Sequence, residues 1–233
     1  MGIVIGQGPL YPERTIGTPE GDTAERGMRI QDYMNKIKSE AVVASLWSGR
    51  EARIAARLAG QEPPPIDQHA GTRAQVPPEM FPPVLIVGND DPLDDWNGNA
   101  IGYIVSQRFR DAVEVLDPGT HQFVPVELRR HDGQLYEGRP FYYMRVTRLI
   151  NAINLAQSPK LRQVGSLVTP TETTMFHIDR GQSFAVYADR IAGMGLWRDI
   201  RSPEDIFASE RLVTLLRERA PTGWASQETF TEL

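Results

Sequence analysis

The chain has 233 residues, 40% hydrophobic and 24% charged, ordinary proportions for a globular protein with a real core. A net charge of −5 argues against a nucleic-acid binder, whose contact face is basic. Zero cysteines exclude disulfides and thiolate metal sites, and no apolar run reaches the roughly 20 residues of a membrane helix.

In chain order, residues 1–22 carry glycine or proline at 6, 8, 9, 12, 17, 19 and 21, too many for a regular element. The short apolar run at the start has no basic region ahead of it, so a cytoplasmic protein without a secretory leader is expected. From Thr23, apolar residues at Ile30, Met34, Ile37 and Ala41 predict a helix. A second, short helix spans Arg50 to Leu58, with Arg50, Arg53 and Arg57 on one face, read as solvated. Residues 60–83, with proline pairs and triplets at 63–65, 77–78 and 82–83, read as an extended linker. The expected organisation is an N-terminal arm with helices and a Pro-rich linker over 1–80, either set apart from or wrapped as an extended strap around an α+β domain over 81–233.

Val84 to Val87 reads as a buried strand, and the loop GNDDPLDDWNGN follows. Its carboxylates at Asp90, Asp91, Asp94 and Asp95 do not match a calcium loop, since the sharp-turn glycine and the twelfth-position glutamate are missing. Clustered acid beside Trp96 leaves two readings, a solvated turn or a protein-binding loop in which charge steers encounter and the aromatic anchors it. Asp90, Asp91, Asp94, Asp95 and Trp96 are therefore the candidate partner-binding residues.

Residues 102–128, GYIVSQRFRDAVEVLDPGTHQFVPVEL, form a complete strand–helix–strand unit. Tyr103 to Val105 is a strand, Ser106 a helix N-cap, and Phe109, Ala112, Val113 and Leu116 one apolar face. Asp117-Pro118-Gly119 stops the helix, and Val124, Val126 and Leu128 alternate as a strand in which Pro125 marks an edge or bulge. His131-Asp132-Gly133 is a turn, and Phe141 to Val146 pairs back. Further short strands are expected at 164–168, 175–178 and 183–187. Near the end, Asp205 to Leu212 repeats the theme of Gly102 to Phe109: apolar strand, serine, arginine two residues on, then a helix with Leu212, Leu215 and Leu216. Two such units suggest two helices packed on one mixed sheet, an α+β fold with a helical N-terminal arm in front.

The YIVSQRFRDAVEVL…QFVPVEL pattern, FYYMRV followed by INLAQS, then LWRDI, then IFASERLVTLLRERAPTGW resembles family eleven of the immunity proteins of bacterial polymorphic toxin systems. The ordered set covers about residues 84–226. That resemblance implies a non-enzymatic protein that binds and neutralises a cognate toxin inside the producing cell, with no cofactor and no metal. An acidic loop suits a basic toxin. Two other classes stay open. One is a structural or adaptor protein docking through the apolar face of residues 23–58. The other is an enzyme, disfavoured because the chain has no Gly-x-Ser-x-Gly elbow and only four scattered histidines, of which His121 and His131 would have to converge across a hairpin.

Overall fold

A computed structural model describes residues 2–7, 16–17, 23–48, 50–60, 70–88, 92–99, 102–136, 139–164, 174–178, 182–220 and 222–233. Strands β1 (Gly2–Gln7) and β2 (Ile16–Gly17) precede helices α1 (Thr23–Ser48), α2 (Arg50–Leu58) and α3 (Ala70–Arg73). Next come β3 (Val84–Val87), β4 (Trp96–Asn99), β5 (Gly102–Ser106), α4 (Gln107–Leu116), β6 (Gln122–Arg130) and β7 (Phe141–Arg145). The short strands β8 (Leu149–Ile150), β9 (Arg162–Gln163) and β10 (Phe176–His177) lead to β11 (Ser183–Val186) and α5 (Ala188–Ile191). The chain closes with β12 (Leu196–Asp199), β13 (Ser202–Ala208), α6 (Glu210–Arg219) and β14 (Trp224–Glu232). The fold is α+β, with the strands in two six-stranded sheets rather than one, plus a β9–β10 ribbon.

The two sheets follow one plan. In the first, ordered β2-β3-β6-β7-β5-β4, β3 runs parallel to β6, β7 inserts antiparallel between β6 and β5, and β4 flanks β5. In the second, ordered β11-β14-β1-β13-β12-β8, β11 runs parallel to β14, β1 inserts antiparallel between β14 and β13, and β12 flanks β13. Helix α4 joins β5 to β6 just as α6 joins β13 to β14. The chain is thus two copies of one strand–helix unit, and the N-terminal strand β1 supplies the piece of the second that β7 supplies to the first.

The registers fix which residues are equivalent. Trp96 stands opposite Val105 and Leu196 opposite Ala208. The residue after each partner is a capping serine, Ser106 accepting from the Phe109 amide and Ser209 from the Leu212 amide. The Ser106 amide in turn donates to the Asp95 carbonyl, and the Ser209 amide to the Gly195 carbonyl, both at 2.9 Å. Asp95 therefore matches Gly195, and Trp96 matches Leu196.

Alternation along the strands buries both faces of both sheets. Val105, Met144, Ile3, Ile206 and Ala208 face a shared core with Phe109, Ala112 and Val113 of α4 and Leu212, Val213 and Leu216 of α6. Their neighbours Ile104 and Tyr143 point the other way, to a core with Leu85, Phe81 and Ile30 of α1. Val4 and Phe207 likewise face a third core, where Phe207, Trp197, Phe184 and Phe230 meet edge to face, tilted or stacked at centroid distances of 5.6–6.3 Å.

Several expectations change. Residues 2–7, within the stretch read as irregular, are an interior strand paired with β14 along its length and with β13 at Ile3 to Ile5; Ile3 and Val4 are buried there, and Gly2 packs closely against Phe230 and the Ala208 carbonyl. The described part of the proline-rich stretch is packed, not extended. Val76 and Phe81 are buried, Gln122 holds Val76 by hydrogen bonds to both its amide and its carbonyl, and a Cβ on Gly71 would lie 2.4 Å from the Met34 carbonyl oxygen. His121 and His131 do not converge, because β6 runs extended between them. Pro125 sits where β6 has only β7 as neighbour, since pairing with β3 starts at Glu127, so the missing N–H costs no ladder bond there. Of the strand expected at 164–168, residues 165–168 lie outside the described residues.

Candidate partner-binding surface

The acidic loop joins β3 to β4. Asp90 and Asp91 lie outside the described residues; Asp94 is half-buried, and Asp95 and Trp96 are interior, with 0% and 1% exposure. Residues 93–96 are clamped from both sides. Leu93 is buried in the core beneath α1, its amide bonded to the Tyr136 hydroxyl at 2.6 Å and its carbonyl to Arg139. Trp96 points into the shared core against Tyr103 at 4.5 Å and Phe109 at 5.0 Å. Anchors facing opposite cores leave Asp94 between them at the surface.

Asp95 is the fixed point of this loop. Its carboxylate accepts from the Ser106 hydroxyl at 2.6 Å, from Arg108 Nη2 at 3.0 and 3.1 Å, and from the Thr222 hydroxyl at 3.0 Å. The Asp95 amide donates back to Thr222 Oγ1 at 3.0 Å. One carboxylate thus ties together the start of β4, the cap and first turn of α4, and the turn into β14. Arg108 pairs with this carboxylate while its guanidinium stays half-exposed. The turn at Thr222 closes tightly: Gly223 has φ +85°, and a Cβ there would lie 2.3 Å from both Asp94 Cβ and the Trp96 carbonyl oxygen.

The second unit has the matching junction in different chemistry. Where Asp95 would stand there is Gly195, and its amide bonds Asp117, the residue that ends α4 in the first unit. Asp117 also accepts from the Leu196 amide at 2.6 Å and from Arg148, and His121 Nε2 lies 3.4 Å away. Burial by itself raises this carboxyl's pKa; the His121 ring, the Arg148 guanidinium and the two amides outweigh it and hold Asp117 at about 2. Each unit therefore clasps the other just past its helix: Thr222, after α6, holds Asp95, and Asp117, after α4, holds Gly195 and Leu196. A third interior carboxylate, Asp199, accepts from the amides of Ala152, Ile153 and Arg201 and pins the linker between the units.

Sequence reading places the exit turn at Gly223, as found, but misses Thr222, Tyr136 and Arg139. The only hint was Arg108 two residues past a serine; no local pattern links Asp95 to a residue 127 positions away. Among the described residues no group of three or more His, Asp or Glu side chains is placed to hold a metal ion, and no helix is long and apolar enough to cross a membrane.

Fold and site together define a two-sheet α+β protein built from a repeated unit, with carboxylates used as internal fastenings. The Immunity protein family (Imm11) matches over residues 35–230, most of the chain, and the protein belongs to that family. No curated protein matches it.

Proposed function

We propose that this protein binds and neutralises a cognate bacterial toxin in the cytoplasm of the cell that makes it, without catalysing a reaction. Membership of an immunity protein family over residues 35–230 carries this reading. The use of buried charge supports it. Asp95, Asp117 and Asp199 are each occupied by hydrogen bonds that hold backbone in place, which is the work of a scaffold.

The toxin-facing surface belongs to residues 81–233, and the acidic loop is its centre. Asp90, Asp91 and Asp94 supply negative charge for a basic toxin, while Asp95 and Trp96 hold the loop in shape from inside. Long-range attraction of this kind mainly raises the rate of capture, which is the quantity that counts when a toxin must be stopped early.

A test is to express the protein together with each candidate toxin of the producing bacterium in a sensitive host. The expected result is restored growth with one toxin, and a stoichiometric complex from which that toxin is recovered chemically intact. Growth restored with a cleaved or modified toxin, or no toxin neutralised, overturns the proposal. A second reading, an adaptor docking through its arm, draws on Val43 of α1 and Ile54 and Leu58 of α2, which are 50–85% exposed. Deleting α2 would abolish protection on that reading and preserve it on the first.

A further inference from the structure

The repeated plan makes the outer edges of the two sheets directly comparable. In the second unit, the outer edge of β12 is closed by β8, which runs parallel to it with Arg198 beside Leu149 and Asp199 beside Ile150. The Arg198 amide donates to the Arg148 carbonyl at 2.9 Å and the Ile200 amide to the Ile150 carbonyl at 2.8 Å. At the opposite ends of the sheets, β3 is covered by antiparallel β2, and β11 by an antiparallel bridge between Ile153 and Val186. The fourth edge is β4, and among the described residues no strand pairs with its outer side.

The backbone of β4 is arranged to accept one. The bond from the Ser106 amide to the Asp95 carbonyl sets the phase of the β4–β5 ladder, so Asn97 and Asn99 bond inward to β5. The amide and carbonyl of Gly98 then point away from the sheet, as those of its equivalent Arg198 do toward β8. The Trp96 carbonyl, next along the same edge, is shut off by Gly223. An incoming strand therefore meets a short edge that begins at Gly98, and β8 shows that two residues of parallel pairing suffice for this fold.

We propose that the outer edge of β4, centred on Gly98, is where an extended segment of the toxin adds as a parallel strand; this rests on the immunity reading above. The pairing supplies main-chain hydrogen bonds, and side chains at alternate positions supply selectivity. A parallel segment starting at Gly98 has its N-terminal end turned toward the start of β4, the side on which Asp90, Asp91 and Asp94 precede the strand in sequence, so that end carries lysine or arginine. A second copy of this chain is the poorer occupant: it brings the same acidic loop and a net charge of −5.

The test uses the purified toxin identified by growth rescue. Substituting Gly98→Pro removes an N–H that the β4–β5 ladder does not use, the one kind of strand position that tolerates proline. Affinity is expected to fall about three- to tenfold, the worth of one hydrogen bond. Hydrogen exchange on the unaltered protein gives an independent reading: the Gly98 amide exchanges freely alone and slows at least about tenfold in the complex. Undiminished exchange at Gly98 in a complex that still protects cells overturns the edge and leaves the immunity function standing. Protection of Gly98 that grows with protein concentration in the absence of toxin overturns it in favour of a second copy. Failure of growth rescue with every toxin is a different result, which removes the immunity reading and this inference with it.

Discussion

The two units share a plan and fasten to each other at equivalent points, yet one junction spends its carboxylate inside its own unit and the other sends it across. Asp95 sits at the foot of β4 and binds Ser106 and Arg108 of its own helix before reaching Thr222 of the other unit. Its counterpart is Gly195, with no side chain, and the charge comes instead from Asp117 across the seam. The first junction thus has its fastening built in, and the second borrows it from across the seam.

Ways to break this comparison range from whole strands to single protons. Deleting residues 2–7 leaves β13 and β14 without the strand that joins them, and the chain is expected to lose its cooperative urea transition altogether, whereas a true N-terminal appendage would leave the transition in place. Asp117→Ala strands Arg148 and the Gly195 and Leu196 amides in the interior, with an expected loss of about 3–5 kcal/mol in urea unfolding. The paired caps sharpen the comparison. Ser209→Ala removes an N-cap alone, for about 1 kcal/mol, while Ser106→Ala also takes a donor from buried Asp95 and should cost about 2. Equal losses in the two would mean that the Asp95 fastening adds nothing.

Acid titration gives an effect as small as that of the caps. The Asp117 carboxyl is lowered from 3.8 unfolded to about 2 folded, so its contribution is complete above about pH 4 and is lost as the pH falls through about 2. The expected size is on the order of 1–2 kcal/mol between those values, and Asp117→Asn should remove that part of the slope of stability against pH.

How far the sequence revealed this follows from the range of the forces involved. The unit around α4 was legible in full, because its cap at Ser106, its apolar stripe from Phe109 to Val113 and its stop at Asp117 are all written within a few residues. The likeness between Ser106 and Ser209 was legible for the same reason and pointed to the repeat. What stayed hidden was pairing across the chain. Gly6 looks like a breaker until β14 is beside it. Asp117 reads as a helix stop because nothing local announces that it will hold two amides 78 and 79 residues away. Within the acidic loop, composition marked out the stretch, but that Asp95 turns inward was decided by Thr222, and the setting of Leu93 by Tyr136 and Arg139, all from distant segments.

The most direct test measures thermal stability and toxin affinity on the same two variants, Asp117→Asn and the triple change of Asp90, Asp91 and Asp94 to Asn. A division between fastening and surface predicts opposite outcomes. Asp117→Asn should melt at a lower temperature and, well below it, bind toxin as the unaltered protein does. The triple variant should keep its melting temperature and bind toxin more slowly and more weakly, most visibly at low salt. A triple variant that captures toxin at the original rate and affinity would contradict the account.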